Sequence, residues 1–160
     1  METQQIIQSL SYVTWVLLGG LAFGSFALTW WLKQTTDATA GFLGFSAIRA
    51  AVFGLGWLMV EWGLPAPVDL EIGQLPELNE PRRAAIAAFT LLSFVAGVRL
   101  RRGGRALWLG ALAILAGLAA LFMGAVSWGQ AEPISVSIFV QLVALSAVTG
   151  GSLAAVVLAH

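Results

Sequence analysis

The chain has 160 residues, 59% hydrophobic and 10% charged, with eight basic and eight acidic side chains in formal balance. Soluble domains carry about 25% charged residues, so this composition argues against one, and zero net charge leaves no nucleic-acid footprint. With no cysteine, disulfides, thiolate metal centres, cysteine-ligated iron–sulfur clusters and a cysteine nucleophile are excluded. Several apolar runs exceed the ~18 residues that mark a membrane helix. The expected fold is all-α: one membrane domain over residues 1–160, a bundle of about five transmembrane helices.

Met1 to Ser9 is polar and lacks Lys or Arg, so it does not read as a secretory signal, which needs a basic start and a short apolar core. The first helix is expected over residues 10–32. Gly20 and Gly24 make a GxxxG step in it, and Tyr12, Trp15, Trp30 and Trp31 sit where interfacial aromatic belts would lie. A polar loop follows, with Thr35, Thr36 and Asp37 as candidate caps for a second helix over 41–64. That helix carries Arg49 and, near its far end, Glu61 and Trp62.

Residues 63–80 form the one long connection. Pro65, Pro67 and Pro76 forbid a continuous helix there, and Asp69, Glu71, Glu77 and Glu80 make the loop acidic. Such a loop could hold a cation or a basic partner, but its carboxylates lack a metal-binding spacing, and a solvated loop is expected. Asn79, Glu80 and Pro81 read as a helix start. The third helix, 81–100, has a short uncharged core, so Arg82, Arg83 and Arg99 should extend their heads to the interfaces.

A basic knot follows: Arg99, Arg101, Arg102 and Arg105, interrupted by Gly103 and Gly104. It is expected to fix topology and touch lipid. The fourth helix, 106–129, is uncharged and about 35 Å long. Gly110, Ala113, Gly117, Ala120, Gly124 and Ser127 recur at intervals of three and four, a stripe of small residues that lets neighbours approach. This places the fourth helix centrally. A turn at 130–133 leads to the fifth helix, 134–160, whose small stripe is Ser137, Gln141, Ala144, Ala147, Gly151 and Ala155. Helices one, four and five should therefore share small-residue faces. The glycine pairs at 19–20 and 150–151 are too little to establish an internal repeat. The stop at Leu158-Ala159-His160, without a polar anchor, reads either as a fifth helix ending flush with the interface or as a fragment of a longer protein, and the fragment is expected.

Lys33, Arg99, Arg101, Arg102 and Arg105 fall on one side of the membrane, Arg82 and Arg83 on the other. The positive-inside rule then puts loop 99–105 in the cytoplasm, and the N-terminus and loop 63–80 outside. The setting is a cell membrane of the prokaryotic inner-membrane kind.

Few residues could carry chemistry. Arg49 lies roughly 12 Å into the second helix, where an ionised guanidinium costs about 2.5–3.5 kcal/mol. It reads as an anion site, as a contact to a partner subunit's carboxylate, or as a side chain reaching back to lipid phosphate. Gln141, at similar depth, should join Arg49 in the bundle interior and make an interhelical hydrogen bond. Glu61 and Glu132 read as solvated interfacial carboxylates. His160 has no second ligand for a haem, so no cofactor is expected. No phosphate-binding loop, nucleophile elbow, metalloprotease motif or dinucleotide fingerprint occurs. The chain is expected to be a non-catalytic subunit or scaffold in the lipid bilayer beside other membrane subunits. The alternative is a transporter or permease, or part of one, with Arg49 binding the anion.

Overall fold

A computed structural model describes residues 2–64, 75–104, 106–129 and 133–158. Five α-helices account for nearly all of them: α1 (Glu2–Thr35), α2 (Ala40–Gly63), α3 (Asn79–Arg101), α4 (Leu107–Gly129) and α5 (Ile134–Leu158). All five are long and apolar enough to cross a membrane, and no strand occurs among the described residues. Each helix packs on its neighbours in sequence, and α5 closes the bundle by packing on α1.

The helix ends follow local chemistry. Helix α1 extends eight residues further back than apolarity alone suggests, because Glu2 to Ser9 contains no helix breaker. The cap of α2 is Thr39 rather than Thr35, Thr36 or Asp37: its side chain accepts from the Phe42 N–H at 3.4 Å. A 3-10 turn, Pro76–Leu78, leads into α3. At the far end of α3 the Gly103 N–H donates to the Leu100 carbonyl and the Gly104 N–H to the Arg99 carbonyl. That pairing requires a left-handed residue, and Gly103 supplies it with φ 72°. The glycines of the basic knot thus end the helix, while Arg99, Arg101 and Arg102 are exposed. Arg105, loop residues 65–74, Glu132 and His160 lie outside the described residues.

Small residues and large rings interlock. Gly110, Gly117 and Gly124, seven residues apart on α4, face Trp30, Phe23 and Trp15 of α1. A methyl group at Gly124 would sit 2.9 Å from the Trp15 ring, so each glycine is a socket for an aromatic side chain. The α4 stripe is buried along its whole length, but α4 is one wall of the bundle rather than its centre. Trp108, Leu112, Leu115 and Phe122 point outward from it.

Backbone-to-backbone approach occurs elsewhere. On α1, Gly24 meets the Ser146 carbonyl and Gly150 of α5, and Gly20 meets Thr149 and Ser146. On α2, Gly44 lies against Gly97 and Arg101 of α3. The face of α5 expected to be buried is the wrong one. Ser135, Leu142, Ser146 and Gly150 are buried, whereas Ser137, Gln141, Ala144 and Ala147 are exposed and Gly151 has open space beside it. Small residues surround α5 on all sides, so their spacing does not single out a face.

Candidate functional site

The antiparallel packing of α2 on α3 sets two charges opposite one another. Glu61 is two residues from the end of α2, and Arg82 is three residues into α3. Both were expected at solvated interfaces. Instead each side chain is 1% exposed, and they form an ion pair with Arg82 Nη2 2.7 Å from Glu61 Oε1. Two charges this far from water are tolerated because each satisfies the other.

The pair is extensively hydrogen-bonded. Arg82 Nε lies 3.0 Å from both carboxylate oxygens, and Arg82 Nη2 also donates to Asn79 Oδ1 at 3.2 Å. From α1, Trp15 Nε1 donates to Glu61 Oε2 at 2.6 Å. Three helices therefore converge on one carboxylate, and both of its oxygens are occupied. Such a group is a structural clasp rather than a free base. The neighbouring Arg83 behaves differently: it is partly exposed and pairs with the exposed Glu80 at 3.0 Å.

An aromatic column continues from the clasp into the bundle. Trp15 stacks edge-on with Trp128 at 4.7 Å and with Trp57 at 5.1 Å between ring centroids. Tyr12 extends the contacts outward through Trp128, and Phe89 extends them inward from Trp57 to Phe26. The residues read as interfacial belts are thus partly the filling of the core: Trp15 is fully buried, and Trp31 alone of the four is largely exposed. The backbone N–H of Leu75 donates to Ser127 Oγ at 3.3 Å and ties the 3-10 turn to α4 over this end.

Arg49 and Gln141 are not brought together. Arg49 is half-buried on α2, and its Nε and Nη2 are shielded without a hydrogen-bond partner among the described residues. Gln141 is exposed on α5 at the edge of a shallow groove of about 360 Å³ that includes Tyr12, Trp128 and Leu142. The expectation that both face the interior is corrected for Gln141, because α5 turns its Leu142 and Ser146 edge inward instead.

Neither charge of the clasp signals it alone. Glu61 and Arg82 flank one connection at nearly equal distances from their helix ends, and the antiparallel packing of α2 on α3 aligns such positions. Gly44 and Gly97 likewise carry no motif: each is meaningful only against the other. Comparison with protein-family models, with curated proteins and with solved structures finds no match to this chain.

Proposed function

We propose that this chain is a non-catalytic membrane subunit, a rigid bundle that presents the outer face of α5 to a partner helix. The observation that carries the reading is the filling of the interior. The bundle axis is occupied by Trp15, Phe26, Trp57 and Phe89, all buried, and both oxygens of the buried Glu61 carboxylate are taken up by Arg82 and Trp15. Substrate pathways are instead lined by polar groups around water.

The α5 face supports the second half of the reading. On α2 the outward residues are bulky, with Phe45, Val52, Leu55, Met59 and Trp62, and α5 also exposes Val140, Leu145 and Val148. On α5, however, the outward residues include Ser137, Gln141, Ala144 and Ala147. In hydrocarbon, small residues and a side-chain amide favour contact with another helix.

The proposed orientation keeps the basic knot in the cytoplasm and the N-terminus outside. With Arg82 withdrawn into the clasp, Lys33 and the four knot arginines are opposed only by Arg83 among loop charges. A reporter active only after export, fused after Gly103, should be silent.

The test is purification in a mild detergent. The intact chain should bring down another membrane protein in fixed ratio, and Ala144→Trp should lose it while the chain stays folded. The transporter alternative draws on the unpartnered edge of Arg49. Anion flux into vesicles containing this chain alone, abolished by Arg49→Leu, would establish that alternative and overturn the subunit reading.

A further inference from the structure

Two of the arginines on membrane helices, Arg49 and Arg82, present the same edge of the guanidinium differently. In Arg82 the Nε and Nη2 edge is taken up by Glu61. In Arg49 the same two nitrogens are shielded and have no acceptor among the described residues. This edge is the fork that binds two oxygens of a carboxylate or phosphate side by side. Leaving it empty in an apolar setting is costly, so an acceptor from outside the chain would be strongly favoured.

A second donor lies one turn away. The hydroxyls of Ser25, Thr29, Thr90 and Ser146 each donate to the carbonyl four residues earlier. Ser46 makes no such bond: its Oγ is shielded and unpartnered, and the residue is 2% exposed. Positions 46 and 49 are neighbours on a helix surface. Ser46 is also closer to the start of α2.

Position and direction indicate where the acceptor comes from. Arg49 is nine residues past Ala40, about 14 Å along α2. A helical side chain leans toward the helix N-terminus, and here that end carries the basic residues. Gly44 of α2 lies against Arg101, and Arg99 and Arg102 are exposed beside it. Lys33 ends α1 on the same side. Such a cluster gathers anionic lipid. Arg49 is only half-buried, so its side chain reaches the bundle surface.

We infer that Arg49 binds the phosphate of a lipid headgroup drawn in from the basic end of the bundle. The inference does not rest on the subunit reading, which concerns α5. A lipid phosphate and a free phosphate offer the same oxygens, and the experiment distinguishes them.

The protein is purified in a phosphate-free detergent, dodecyl maltoside, and its thermal unfolding is followed with three additions. Phosphatidylglycerol should raise the midpoint by roughly 2–4 °C. Diacylglycerol, with the same chains and no phosphate, should not, and neither should millimolar inorganic phosphate. In Arg49→Leu the rise should vanish, while the midpoint without lipid should equal or exceed that of the unaltered chain, since an unpartnered charge has been removed. Arg49→Lys, which keeps the charge but loses the fork, should retain only part of the rise. The inference is overturned if diacylglycerol works as well as phosphatidylglycerol, or if inorganic phosphate gives the full rise. It fails equally if Arg49→Leu keeps the rise or is less stable than the parent without lipid.

Discussion

The carboxylate of Glu61 and the guanidinium of Arg82 meet at 2.7 Å with neither side chain more than 1% exposed. The contact ties the end of α2 to the start of α3 across a connection of fifteen residues, and Trp15 fastens α1 to the same point. At the clasp, three of the five helices are thus joined by directional bonds.

Trp15 contributes a hydrogen bond and a ring, and the two separate experimentally. Trp15→Phe keeps an aromatic ring in the column but leaves Glu61 Oε2 without its 2.6 Å donor. The expected cost is about 1–3 kcal/mol in unfolding free energy in detergent. Trp15→Ala also empties the space between Trp57 and Trp128, and should cost about 3–5 kcal/mol. Equal losses in the two variants would show that the ring matters little, and an unchanged stability in Trp15→Phe would show that the hydrogen bond matters little.

The α1–α5 crossing gives a paired test on glycines. A methyl group at Gly24 would collide with the Ser146 carbonyl, so Gly24→Ala should destabilise by about 1–3 kcal/mol. Gly151 has nothing within 4 Å of the corresponding position. Gly151→Ala should therefore be neutral within about 0.5 kcal/mol. Urea or thermal unfolding of both variants in the same detergent checks the contrast.

Neighbouring positions on α5 test which face is inside. Gln141 is exposed and Leu142 is 7% exposed. In the isolated chain Gln141→Leu should change stability by less than about 0.5 kcal/mol, whereas Leu142→Ala should cost about 2–5 kcal/mol. If the subunit reading holds, Gln141→Leu also weakens co-purification of the partner while leaving the bundle intact.

Much of the architecture was legible in the sequence because membrane length and apolarity are strong, local signals. The five helices and the small stripe from Gly110 to Ser127 needed nothing beyond spacing. The orientation of α5 was not legible. In water, an apolar face must turn inward, but in lipid the outside is as apolar as the inside, and patterning loses its direction. Ser137 and Ser146 look alike in sequence, yet only Ser146 is buried. The clasp was hidden for a related reason. Glu61 and Arg82 each sit near a helix end, where solvation is the ordinary expectation, and only their mutual alignment makes burial tolerable.

The most direct test of the buried clasp is a double-mutant cycle on Glu61→Met and Arg82→Met, read by equilibrium unfolding in detergent. Each single change should cost about 3–5 kcal/mol by stranding a buried charge, and the double change should recover most of that loss. Single effects near zero, or effects that simply add in the double variant, would contradict the account by showing that the two charges neither shelter nor need each other.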